Sequence, residues 1–409
     1  MTEGPVQDWA SDYDIFDPTF VANPYVVWDD LRRRCPVAHT ERWGGSWMPT
    51  GYDELFRIAQ DIERFSSQDI LVAPVGPPEG QEPDESDPFY GVAAPPITSD
   101  PPEHTWARRL LLPPFSIRSI ERFEPETRQW CRSLIDNFIA NGRADAAQDY
   151  AQQIPPHVIA LMLGIPPEMS DTFTQWVRQL LEFGLQNPEM GAEARMQTLT
   201  FLWQCIQERK QQPRDDLISY LLQQKVDGKP VPDQHVLGTC FLLLIAGIDT
   251  TWSSIGSALW HLAQHPQDCA RLVAEPELMP AAVEELLRAY SPVTMARYVT
   301  RDVEVNGCQV RAGDRVLMTF PAANRDPQKF PDADKVILDR AQNPHIAFGV
   351  GIHRCAGSNL ARMEMRVAIQ EWLARIPEFR LEDPAAVTWA GGQVRGPRSL
   401  PVVFGGNRK

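Results

Sequence analysis

The segment 348–357, FGVGIHRCAG, constrains the fold of this chain more than any other feature. It places Cys355 between a glycine-containing loop and a stretch in which apolar residues recur at helical spacing. The cysteine therefore lies near a helix N-terminus, where the helix dipole favours the thiolate form that binds iron. Gly349 and Gly351 allow the backbone to approach a flat, bulky group closely. Together these properties suggest a heme held by a cysteine.

The alternative is a buried free cysteine in a turn, which is the commoner role of a lone cysteine. However, Phe348, Gly351, Cys355 and Gly357 match the pattern F-x-x-G-x-x-x-C-x-G. In this pattern the chain resembles the cytochromes P450, the heme-thiolate monooxygenases, and further segments described below extend the resemblance. It implies that Cys355 is the iron ligand of heme b, that Phe348 shields the sulfur, and that Gly357 also contacts the cofactor.

The resemblance implies a mainly α-helical fold with small β-sheets, a triangular helical prism enclosing the heme. It also implies a single domain over residues 1–409, with a helix-rich body and a smaller β-rich N-terminal region. Strands are predicted at residues 46–48 and in a hairpin at 303–310, around the turn sequence Asn306-Gly307. Apolar periodicity predicts helices at 52–59, 102–112, 126–140, 154–163, 171–183, 194–208, 215–224, 233–264 and 279–290.

Residues 72–96 contain seven prolines and five acidic residues, which predicts a loop. A solvated linker would have the same composition. The resemblance instead implies a substrate-facing lid at this position.

The longest helical pattern, 233–264, is interrupted by the polar sequence Asp249-Thr250-Thr251. A threonine hydroxyl can bond to a carbonyl one turn back, so a local bulge is expected beside Ala246 and Gly247. An isolated Asp-Thr pair is usually a surface or capping feature. The resemblance implies that A-G-x-D-T activates oxygen here, with Thr250 donating a hydrogen bond and Asp249 gating proton delivery.

Two further segments match the family in order along the chain. Glu285 and Arg288 have the spacing E-x-x-R, which is commonplace on surface helices when it occurs alone. The resemblance makes them, together with Arg325, a buried structural charge network. It also makes His104, Arg108, Arg297 and His353 the donors that anchor the two heme propionates, although each alone would be read as a surface cation.

The substrate pocket is assigned from family position only. It is expected to be mainly apolar and to include Ala246, Gly247, Val293, Thr294, Met295 and Val394.

Composition limits the binding partners and the cellular compartment that can be expected for this chain. The net charge of −15 argues against nucleic acid or an anionic membrane. Seven widely spaced cysteines without a C-x-x-C pair suit a reducing compartment, and no apolar signal segment opens the sequence. The longest apolar run, 241–248, is far shorter than the ~20 residues of a membrane helix. A cytoplasmic protein is therefore expected.

The resemblance predicts a monooxygenase that hydroxylates or oxidatively dealkylates a small or medium organic molecule. Electrons would come from a ferredoxin and its reductase, docking on a basic patch of Arg354, Arg362 and Arg366, with Arg109 nearby. Two alternatives stay open: a hydrogen-peroxide-dependent peroxygenase of the same fold, and a non-catalytic heme-binding sensor.

Overall fold

Helices form most of the chain in the computed structural model, which describes residues 4–74, 89 and 91–405. Within these residues the helices, numbered α1 to α15, are Pro18–Ala22, Pro24–Arg34, Tyr52–Gln60, Glu103–Leu111, Ile117–Glu121, Glu124–Phe138, Ile154–Leu163, Ser170–Arg178, Pro188–Gln211, Leu217–Leu222, Asp233–Gln264, Pro266–Ala274, Met279–Ala289, Phe320–Ala323 and Ser358–Arg375.

The strands are short. Numbered β1 to β14, they are Val37–Thr40, Ser46–Pro49, Phe65–Ser66, Arg143–Asp145, Lys225–Val226, Lys229–Pro230, Met295–Val299, Val303–Val305, Cys308–Val310, Arg315–Met318, Phe379–Leu381, Thr388–Ala390, Gly396–Ser399 and Pro401–Phe404.

The predicted hairpin is present as β8 and β9, with Val303 paired to Val310. Its turn is formed by Asn306 and Gly307, both at positive φ. A five-stranded sheet has the order β1-β2-β10-β7-β3. The expected β-rich N-terminal region is therefore completed by two strands that come from later in the chain.

Helix α11 is the central element of the fold. It packs against α7, α9 and α15 and against strand β13. By length and composition it could cross a membrane, but 72% of its most apolar window is buried among these neighbours. Its apolar character is therefore that of a mostly buried core helix.

Most of the predicted lid, residues 72–96, lies outside the described residues. Its described ends contact the body of the protein. Val72 is 2% exposed at one end. At the other, Arg195 of α9 donates hydrogen bonds to the carbonyls of Phe89 and Val92, at 3.1 and 3.2 Å.

Candidate active site

The cysteine loop closes on itself immediately before α15. The Cys355 amide donates to the Phe348 carbonyl at 2.8 Å. Gly349 and Gly351 have φ values of 67° and 76°, which side chains rarely adopt. A Cβ on Gly351 would lie 2.7 Å from the Ala59 carbonyl oxygen, so glycine is also required for space.

The thiol of Cys355 is only partly accessible in this loop. Burial raises the pKa of the Cys355 thiol, although the Gly357 amide and the Arg108 guanidinium act in the opposite direction. Burial of the sulfur therefore opposes the preference for a thiolate that the helix N-terminus provides. A coordinated metal ion would remove the proton, because a coordinating thiol is deprotonated outright.

Four basic side chains meet beside this loop, and all four are predicted anchors. The rings of His104 and His353 lie 4.3 Å apart between centroids. Burial and the neighbouring cations, Arg297 first among them, lower the pKa of His353 to about 3. Arg108 contributes to the same repulsion. The cluster therefore combines two arginine charges with two histidines whose neutral forms are favoured.

Both histidines of this cluster have an open hydrogen-bonding position. Among the described residues, the Nε2 atoms of His104 and His353 are buried without a hydrogen-bond partner. Arg297 is 5% exposed and donates to the neighbouring Ala296 carbonyl at 2.8 Å, and burial lowers its pKa to about 10. Buried donors normally have partners. This arrangement fits an anionic group. His353 is two residues before Cys355 in the chain, so one planar ligand with acidic substituents could contact both the histidine and the cysteine.

The acid and the alcohol of α11 lie in different surroundings. The Thr250 hydroxyl donates to the Ala246 carbonyl at 2.7 Å, and both residues are partly accessible on one face of a mostly buried helix. The α-helix continues without interruption through this segment, so the prediction of a local bulge is wrong. Gly247 packs against Ile159, where a Cβ would lie 2.6 Å from the side chain.

Asp249 is 1% exposed and is held by a residue that the sequence did not indicate. The Arg398 guanidinium donates to both of its carboxylate oxygens, at 2.9 and 3.2 Å. The Ser253 hydroxyl donates to it at 3.1 Å. Arg398 lies 149 residues later in the chain, so no local pattern could have revealed the contact.

The Cytochrome P450 family model matches residues 92–386. The chain belongs to the cytochromes P450.

Relatives and solved structures agree with this assignment. The mycinamicin IV hydroxylase/epoxidase of Micromonospora griseorubida is 38% identical over 315 residues, 75% of this chain and 79% of that protein. The steroid C26-monooxygenase of Mycolicibacterium smegmatis is 35% identical over 316 residues, 75% and 79% of the two chains. The structure of the Bacillus subtilis polyketide synthase cytochrome P450 PksS has a TM-score of 0.86 at 31% identity and covers 96% of this chain and 99% of its own. This chain is a P450 monooxygenase with the P450 fold, and the family implies heme-thiolate binding.

The charge network of this P450 differs from the prediction at one position. Glu285 and Arg288 are both fully buried and form an ion pair at 2.8 Å. Burial raises the pKa of Glu285, but its bonds to Arg288 and Arg340 outweigh this and leave the pKa lowered. The prediction that Arg325 joins the network is wrong, because its guanidinium lies over the Tyr25 ring at 4.0 Å. Arg340 takes that place, with its Nε 3.0 Å from Glu285.

The predicted pocket residues of this P450 fall into two groups. Val293 pairs with Val394 in an isolated bridge, which brings the two predicted segments together. Val293 and Met295 are partly accessible, whereas Thr294 between them is 8% exposed and Val394 is 4% exposed. Thr294 and Val394 therefore offer little surface to a ligand.

The predicted basic patch is largely neutralised. Arg362 forms two bonds to Glu284, at 2.6 and 2.7 Å. Arg366 is bound by Glu124 in the same manner. Arg354 and Arg109 are exposed and are the patch members that could attract an acidic partner.

Proposed function

We propose that this P450 binds heme b and uses dioxygen to hydroxylate or oxidatively dealkylate a small or medium, mainly apolar molecule. One observation carries the proposal: the partly accessible Cys355 lies beside buried histidine nitrogens that have no partner among the described residues. A heme would supply both missing partners, an iron for the thiol and propionates for the donors. The proposed heme contacts are Cys355 as metal ligand, with His104, Arg108, Arg297, Phe348, His353 and Gly357.

When bound through a thiolate, such a heme supplies dioxygen activation, because the electron-rich sulfur favours O–O cleavage. Thr250 lies on the accessible face of α11 and would donate or accept a hydrogen bond there. To donate, its hydroxyl must leave the Ala246 carbonyl. Asp249 would transfer protons once it is released from Arg398. Positioned proton-transfer groups of this kind contribute typically 10²–10⁴-fold to rate.

The substrate class is supported by the accessible apolar side chains Val293 and Met295 and by the small residue Ala246. Relatives named for mycinamicin IV and for steroids are consistent with a medium-sized organic substrate. We propose that a ferredoxin and its reductase supply electrons in the cytoplasm. Arg354 and Arg109 would be the exposed cations that an acidic ferredoxin contacts.

The proposal is tested by turnover of the heme-loaded protein with candidate substrates that convert the ferric heme from low to high spin. Product should form with a ferredoxin, its reductase, a reduced nicotinamide and dioxygen. Equal rates with hydrogen peroxide alone would favour a peroxygenase. Failure to consume reductant with any substrate would favour a sensor.

A further inference from the structure

Arg398 binds two carboxylates that belong to different parts of the molecule. Its Nη2 contacts Asp249 of α11, and its Nε donates to Glu182 at 2.9 Å. Glu182 lies in the helical turn Gln179–Phe183, between α8 and α9. Arg398 is 7% exposed, so both contacts are shielded from water and from salt.

Close packing of β13 on α11 explains why Arg398 reaches so far into the core. A Cβ on Gly396 would clash with the Ser253 side chain. A Cβ on Gly256 would lie 2.7 Å from the Pro397 ring. The two glycines let strand and helix approach until the Arg398 guanidinium lies beside Asp249.

The two carboxylates act on each other through this guanidinium. Burial raises the pKa of Asp249, the charge of Arg398 lowers it, and the charge of Glu182 raises it. Ser253 adds a hydrogen bond that favours the ionised form. Glu182 is also bound by Arg178 at 3.1 Å, so its charge is shared between two arginines.

We infer that Arg398 is a positioning residue for Asp249 and that Glu182 competes for the same guanidinium. The placement of the turn Gln179–Phe183 thus sets how firmly Asp249 is held. When Glu182 draws Arg398 toward itself, Asp249 is freer to rotate and exchange a proton. When Glu182 withdraws, Arg398 holds Asp249 alone. The inference rests on the proposed proton-transfer role of Asp249, and it links that role to a segment adjoining α8 and α9.

Infrared titration of the Asp249 carboxyl in the full-length protein tests the coupling directly. The band is assigned by its loss in Asp249→Asn. Arg398→Gln should raise the titration midpoint of Asp249, and Glu182→Gln should lower it. Arg398→Lys should restore part of the parent value. Arg395→Gln is the matched control: this guanidinium of the same segment bonds to the Val21 and Ala22 carbonyls and should leave the midpoint unchanged.

Midpoint shifts in the same direction for both variants, or no shift in Glu182→Gln, would overturn the inference. If Arg398→Gln does not fold, Glu182→Gln and Arg398→Lys still decide it. A second readout is the solvent deuterium isotope effect on turnover, which should increase in Glu182→Gln because Arg398 then holds Asp249 more firmly. If the midpoints shift as expected but Asp249→Asn leaves product yield per reductant unchanged, the positioning is right and the proposed role of Asp249 is wrong.

Discussion

The cysteine loop and Asp249 of α11 differ in how buried polar groups are satisfied. Beside the loop, two arginines and two histidines lie close together, and the Nε2 atoms of His104 and His353 lack partners among the described residues. At α11, Asp249 has its charge matched by Arg398 within the protein. An unsatisfied cluster is costly until a ligand arrives, whereas a satisfied acid must be released before it can act. The first arrangement suits permanent binding, and the second suits regulated proton transfer.

Replacing the cysteine should produce the largest change. In Cys355→Ala the heme would lose its thiolate, and monooxygenase turnover should fall more than ~100-fold. The buried Cys131 is the matched control, because Cys131→Ala removes a thiol distant from the loop and should affect stability only. Comparable turnover of Cys355→Ala and the parent would contradict the assignment.

Removing the Thr250 hydroxyl should lower product yield with little loss of stability. In Thr250→Ala, product formed per reductant should fall about 100-fold, near the lower end for a positioned proton-transfer group. Ser254→Ala is a close control, since its hydroxyl makes the same type of bond, to the Thr250 carbonyl at 2.8 Å. Both variants should lose about 1 kcal/mol of stability at most. Equal product yields in the two variants would remove Thr250 from the mechanism.

Two buried arginines test the comparison between unsatisfied and satisfied charge. Arg297 belongs to the unsatisfied cluster beside the cysteine loop, and Arg288 is satisfied by an ion pair within the protein. Arg297→Gln should weaken heme binding about 10- to 100-fold but leave the apoprotein as stable as before, because no carboxylate of the described residues forms an ion pair with this arginine. Arg288→Gln should destabilise the apoprotein by about 3–5 kcal/mol, because Glu285 loses its buried partner. Heme transfer to apomyoglobin and urea unfolding measure the two effects. A large loss of apoprotein stability in Arg297→Gln would mean that its charge is already satisfied.

Glu364 of α15 should show an effect on stability alone, one that depends on pH. Burial raises its pKa well above the usual value of 4.5, and neither carboxylate oxygen has a partner in the described chain. The folded state therefore retains a proton that the unfolded state loses, so stability should fall as pH rises above about 4.5. Glu364→Gln should remove up to about 1.4 kcal/mol of this loss per pH unit. Urea unfolding at pH 5 and pH 8 measures it, and identical pH dependence in both proteins would show that Glu364 is ionised.

The sequence was informative where a signal is local. The helices Ile154–Leu163 and Asp233–Gln264 were predicted to the residue because apolar periodicity is strong in both. The helices Pro18–Ala22 and Pro266–Ala274 were missed, since they are short and begin at proline. Their stability comes from capping and packing more than from a long periodic pattern.

The site residues that lie within sequence motifs could be predicted, whereas those that reach the site from distant parts of the chain could not. The cysteine loop and the basic residues beside it were predicted from their spacing and family position. These residues are His104, Arg108, Arg297 and His353. Arg398 and Arg340 were missed because each reaches its carboxylate across a long stretch of chain. Arg325 was misplaced because sequence neighbours can project in different directions: the Asn324 carbonyl accepts from Arg288 while Arg325 packs on Tyr25.

The absorption spectrum of the reduced, heme-loaded protein under carbon monoxide tests the central claim most directly. If the sulfur of Cys355 ligates the iron as a thiolate, the Soret band should show the strong red shift after which the family is named. A Soret band at the ordinary position in freshly reduced protein at neutral pH would contradict the account, because it would mean that the sulfur is not a thiolate ligand.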